Sequence, residues 1–313
     1  MDPTAPKESQ RHPRPSHQQL LSRCNYFVSC QLWPVHTELD PERWLSNFTE
    51  EEAEHAFYLL NAFLYFSHRL VNRLFVSSVH SLSQHIVYDA KTLADAEHKW
   101  RAFLDTTYFV PVTGEIPQVT DSGHLFARMT RDSLGIPEDR IVSAVDALYE
   151  LFANPTMPLV FIDDFVGSGN QFVQTWTREY TIPGSPFKAS FASVLSNGHP
   201  TNVYYCPVLC TLTGLRNIQQ SCRPVTVSPA HLLGDEYNVY LPADNSVIWP
   251  GKLKSTAVAF LESACDRAGI PPGCRRGFHN LGLAVAFAHG VPDATVDLFT
   301  WNKNGWKPLI QLQ

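Results

Sequence analysis

Leu159-Val160-Phe161-Ile162-Asp163-Asp164-Phe165-Val166-Gly167-Ser168-Gly169-Asn170-Gln171 is the stretch whose reading decides the fold. Four apolar residues, Leu159 to Ile162, follow Pro158 and precede a polar loop. A short run with no polar face reads as a strand buried inside a parallel sheet. Asp163 and Asp164 come where that strand is expected to leave the sheet. The small-residue loop Gly167 to Gln171 leads into a helix expected over 171–180. Ligands of open parallel sheets bind outside the carboxyl ends of the strands, so a binding site is expected there.

The residue types name a ligand class. Gly167 and Gly169 let backbone approach closely and take positive φ, and loop and helix N–H groups then point at an anion. The carboxylates would repel phosphate at contact, yet they suit the cis-diol of a ribose. A ribose 5-phosphate needs both features in that order. The structural alternative is a tight turn whose carboxylates cap the helix.

Outward from this stretch, strands alternate with helices. Tyr108 to Val112, 203–209, 225–227 and 281–287 read as strands; 124–134, 137–152, 187–196, 214–220 and 255–268 read as helices, with an Asn197-Gly198 turn. Crossover connections of this kind give a mostly parallel sheet flanked by helices, an α/β fold. Ahead of it, residues 23–105 read as a mainly helical N-terminal region, with a strand or packed segment over 24–36. No proline occurs from 42 to 110, and Thr49 with Glu52 forms a capping box. Residues 1–22, rich in Pro, His, Gln and Ser, read as a flexible tail before an α/β domain over 106–313.

Of 313 residues, 44% are hydrophobic and 17% charged, which excludes a mainly disordered chain. The net charge of −6 makes any nucleic-acid contact local or mediated by a partner. No apolar run reaches the roughly 18 residues of a membrane span, and the N-terminus lacks the apolar stretch of a secretory signal. The seven cysteines form no Cys-x-x-Cys pair, which suits free thiols in a reducing cytoplasm. The thirteen histidines show no zinc spacing. His231 and His279, each beside an apolar run, read as half-buried histidines before they read as ligand contacts.

The Asp-Asp loop resembles the ribose-phosphate loop of type I phosphoribosyltransferases. The wording Asp163-Asp164-Phe165-Val166-Gly167-Ser168-Gly169-Asn170-Gln171-Phe172 is similar to phosphoribosyltransferase-like domains of prokaryotic conflict systems. Trp44-Leu45 with Phe48, Tyr204-Tyr205-Cys206-Pro207, Pro229-Ala230-His231 and Asn304-Gly305-Trp306-Lys307-Pro308-Leu309 fit the same group. The resemblance covers roughly residues 40–310.

It implies that Asp163 and Asp164 take the diol and the charge developing at the anomeric carbon, while Gly167, Ser168, Gly169, Asn170 and Gln171 take the 5′-phosphate. Asp121, Ser122 and Gly123, with Arg128 on the next helix, are its candidate pyrophosphate loop; a helix cap fits the first three equally, and a solvated face is the default reading of Arg128. Mg²⁺ is expected with a pyrophosphate ligand. The implied setting is a cytoplasmic antiphage effector acting beside a reverse transcriptase or a winged-helix protein and their nucleic acid. Gly167 stands where some members carry a carboxylate base, and no flap sequence is evident. A catalytically inactive nucleotide or phosphoribosyl pyrophosphate sensor, or a nucleotide glycosidic hydrolase, therefore stands beside the transferase.

Overall fold

The apolar runs at 108–111, 159–162 and 203–211 have no face to show water, so they lie side by side as the centre of a sheet. The structure is a computed structural model that describes residues 17–35, 37–113, 122–184, 186–195 and 202–311. Its strands are β1 (Leu64–Phe66), β2 (Tyr108–Pro111), β3 (Leu159–Val166), β4 (Tyr180–Thr181), β5 (Lys188–Ala189), β6 (Val203–Thr211), β7 (Val225–Val227), β8 (His231–Leu233) and β9 (Val285–Phe287). The five-stranded sheet runs β2-β3-β6 with β7 and β8 sharing the far edge of β6, and every pairing in it is parallel. This is the α/β class that the alternation of elements implies.

Pro207 explains why that edge is divided. It brings no N–H to the ladder. β7 pairs with 203–205, β8 pairs with 209–211, and the chain between them lies opposite Pro207. Ser78, buried on the helix His68–Ser81, closes the break by donating to the Ser228 carbonyl at 2.6 Å.

Side chains alternate along β3. Val160 and Ile162 pack with Phe75 and Phe126 on one face, and Phe161 packs with Phe172, Trp176 and Phe191 on the other. Cys206 and Cys210 are buried in β6, and burial pushes both thiols up to about 12, so they stay protonated.

Several boundaries differ from expectation. Residues 24–29 of the segment expected as a strand over 24–36 lie in the helix His17–Ser29, which also takes the end of the expected tail; residues 1–16 lie outside the described residues. Half of the capping box forms, with Thr49 N donating to Glu52 Oε2 at 3.0 Å, but the helix begins only at Ala53. Instead of one helix over 137–152, a short 3₁₀ turn precedes Ile141, which bridges Phe109. Ser143 then caps the helix Ala144–Ala153. The expected helix over 187–196 is β5 followed by Phe191–Leu195. Residues 196–201, with the expected Asn197-Gly198 turn, lie outside the described residues.

Only 285–287 of the expected strand 281–287 is extended. It pairs with β1 and stays out of the main sheet. The helical N-terminal region therefore shares its cores with the rest of the chain. Trp44, Leu59 and Phe63 pack with Trp249, Leu261 and Phe299, while Phe75, Val79 and Phe103 pack on the sheet. Trp44 Nε1 and Trp306 Nε1 both donate to the Leu298 carbonyl, at 2.8 and 3.0 Å.

Candidate functional site

β3 does not end at the acids; it runs three residues past Asp163. Consecutive strand residues point to opposite faces, so the neighbouring carboxylates diverge. Asp163 turns toward the Phe161 face with 3% of its surface exposed. There Tyr205 Oη donates to its Oδ2 at 2.7 Å, and the Asp164 N–H donates to its Oδ1 at 2.9 Å. Burial pushes the Asp163 carboxyl well above the usual range, and the neighbouring Asp164 charge adds to the rise. Tyr205 is itself held by its ring, stacked on Phe172 at 4.1 Å.

Asp164 turns the other way, toward His289. Nε2 of His289 donates to Asp164 Oδ2 at 2.7 Å, and both side chains are more than four-fifths buried. Asp164 Oδ1 has no hydrogen bond among the described residues. His289 stacks on Phe287 at 5.1 Å, and its Nδ1 is buried without a partner among the described residues. Sequence reasoning passed over His289. Its one signal was its place, directly after the apolar residues that form β9.

Beyond Val166 the loop is shaped by the helix Leu212–Ser221. A Cβ on Gly214 would stand 2.3 Å from the Gly167 carbonyl oxygen, so the helix lies directly on the loop. Gly169 sits at φ 79° and leads the helix Asn170–Thr177. Thr211 Oγ1 donates to the Gly167 carbonyl at 2.6 Å, and Asn217 Nδ2 donates to the Ser168 carbonyl at 2.8 Å. The carbonyls are thus bound from behind. The N–H groups of Ser168, Gly169, Gln171 and Phe172 have no hydrogen-bond partner among the described residues. Such N–H groups at a helix start favour an anion. Asn170 and Gln171 are exposed; Asn170 Nδ2 donates to His279 Nε2 at 3.1 Å.

Loop, acids and His289 face one cleft of about 830 Å³. Its remaining walls include Leu125, Phe278, Leu281, Phe287, Val291 and Asp293. Among the described residues that line it there is no Lys or Arg, and three are aspartates: Asp163, Asp164 and Asp293.

The model of the PRTase-CE family matches residues 41–311, beginning after the helix His17–Ser29. The chain belongs to the PRTase-CE family. A search of curated proteins finds no match. Like its sheet, the family makes this a phosphoribosyltransferase-like domain, and among the described residues no helix is long and apolar enough to cross a membrane.

The other residues singled out from the sequence fall differently in this PRTase-CE domain. Asp121 lies outside the described residues, and Ser122 opens the helix Ser122–Leu134. Gly123 is buried beside the end of β2, where an added Cβ would come within 3.3 Å of Pro111 and Val112. Arg128 is exposed and does not line the cleft. His231 is exposed in β8, also off the cleft. No group of three or more metal-binding side chains forms among the described residues. Asp163 is tied to Tyr205 and one oxygen of Asp164 to His289, which leaves Asp164 Oδ1 without a hydrogen bond among the described residues.

Proposed function

We propose that this PRTase-CE domain binds a 5-phosphorylated ribose, with the 167–171 loop on the phosphate and Asp164 on the sugar hydroxyls. The observation that carries the reading is the loop's arrangement. Its carbonyls are held by Thr211 and Asn217, and its N–H groups stand unpartnered among the described residues at the mouth of β3. The positive end of the following helix adds to that field. Asp164 offers Oδ1 to a hydroxyl while His289 fixes Oδ2. A carboxylate beside the ribose also stabilises positive charge at its anomeric carbon, which is the requirement of glycosyl transfer. Asp163 acts from behind, accepting the Asp164 N–H and fixing the backbone that aims its neighbour.

Calorimetry with ribose 5-phosphate tests the reading. Binding is expected, and Asp164→Asn weakens it about 10- to 100-fold by removing the charged acceptor. Absence of binding by the intact protein overturns the reading.

A sensor that binds without transferring is the second reading. Gly167 places no carboxylate base in the loop, and His289 already engages the one acid aimed at the cleft. The resemblance to conflict-system domains suggests an antiphage effector with partner proteins. Growth arrest on expression, abolished by Asp164→Ala in a protein that still folds, selects the enzyme; arrest unchanged by Asp164→Ala selects against an active site here.

A further inference from the structure

We infer, resting on the ribose-phosphate reading above, that the cleft holds its sugar through a single hydroxyl and takes 2-deoxyribose 5-phosphate as readily as ribose 5-phosphate.

A site rejects a sugar that lacks a hydroxyl when its own polar groups are then left unpaired. Two carboxylates set out for a cis-diol offer four such oxygens. Here three of the four are already engaged inside the protein. Asp163 accepts from Tyr205 Oη through Oδ2 at 2.7 Å and from the Asp164 N–H through Oδ1 at 2.9 Å. Asp164 accepts from His289 Nε2 through Oδ2 at 2.7 Å. Asp164 Oδ1 alone has no hydrogen bond among the described residues. A sugar without one of its hydroxyls therefore strands nothing on these two acids.

The engaged oxygens are also locked. Tyr205 is 1% exposed, and its ring lies flat on Phe172 at 4.1 Å and 13°. Turning Asp163 toward a ligand would strand the buried Tyr205 hydroxyl, a loss that one hydroxyl in an open cleft does not offset. Burial holds the Asp163 carboxyl above its usual range, which makes it the weaker charged acceptor of the pair. His289 is held by its ring, stacked on Phe287 at 5.1 Å and meeting Phe126 edge-on at 6.4 Å.

The remaining oxygen falls to the 3-hydroxyl. Asp164 stands three residues before Gly167, where the phosphate loop begins. On the sugar, C3 is one bond nearer than C2 to the carbon that carries the phosphate. The 2-position then faces the body of the 830 Å³ cleft, where a hydroxyl keeps its water and its removal changes little. Asp293, the other acid of the described lining, is exposed on the segment after β9.

Calorimetry with ribose 5-phosphate, 2-deoxyribose 5-phosphate and 3-deoxyribose 5-phosphate tests this. The first two are expected to bind equally, and the third about 10- to 100-fold more weakly. His289→Phe keeps a ring against Phe287 and releases Asp164 Oδ2 for a second hydroxyl. A preference of about tenfold for ribose over 2-deoxyribose should then appear, whatever happens to the absolute affinities. A purely structural role for His289 would weaken both sugars alike, and an unchanged ratio overturns the part assigned to it. If ribose 5-phosphate binds the intact protein and 2-deoxyribose 5-phosphate binds clearly more weakly, the single-hydroxyl inference is overturned while the ribose-phosphate reading stands. Loss of that preference in Asp293→Asn would then give the second hydroxyl to Asp293. No binding by any of the three sugars removes both together.

Discussion

Tyr205 Oη and Asp163 Oδ2 meet at 2.7 Å between the two central strands, joining the buried acid of β3 to its neighbour β6. Tyr205→Phe removes the donor and leaves a buried carboxyl oxygen unpartnered, at a cost of about 1–3 kcal/mol. Urea unfolding measures it, and an unchanged midpoint would show that the bond contributes nothing.

The same burial predicts a pH dependence. The Asp163 carboxyl is raised in the folded state, so its contribution to stability is complete below its unfolded value and is lost as pH rises through the folded value. Asp163→Asn has no proton to lose. Its melting temperature relative to the parent should therefore climb from acid toward pH 8, and a constant difference across that range counts against a raised carboxyl.

Asp164 and His289 should act on ligand as one unit. Substituting each alone and both together, Asp164→Asn and His289→Ala, is expected to give non-additive losses in ribose 5-phosphate affinity. A coupling of roughly 0.5–3 kcal/mol is the range for contacting residues. Additive losses in calorimetry would separate the two residues functionally.

Gly214 and Gly135 make a matched pair. Gly214→Ala drives a methyl group into the Gly167 carbonyl, so it should cost about 1–3 kcal/mol and weaken phosphate binding together. Gly135, at φ 70° with nothing within 4 Å, should cost only about 1–2 kcal/mol of backbone preference as alanine and leave binding untouched. Equal binding loss in both would break the link between helix contact and loop shape.

The sheet was legible because runs such as Leu159 to Ile162 carry no polar face, and the glycine loop because few structural turns need its composition. The divergence of the acids was not legible. It depends on how far β3 continues, and Phe165 and Val166 read equally well as strand or loop. Thr211, Gly214 and Asn217, which shape the loop, lie more than forty residues on, and only the fold brings them there. His289 was hidden for the same reason. β9 reads as one more strand of the sheet until its pairing with β1 is seen.

Trp44 tests how far the chain is one cooperative body. It is fully buried against Phe299 and bonded to Leu298, so Trp44→Ala should cost about 3–5 kcal/mol. A fragment of residues 106–313 should lack cooperative unfolding; a sharp calorimetric transition in that fragment would contradict the shared core.

The β1–β9 pairing also governs when the molecule becomes competent. During synthesis, Leu64–Phe66 emerges more than two hundred residues ahead of its mate, Val285–Phe287. Asp164 meets His289 only after that mate arrives, so a prematurely terminated product carries the glycine loop without the opposite wall. Loop and wall thus face each other only once β9 has been made.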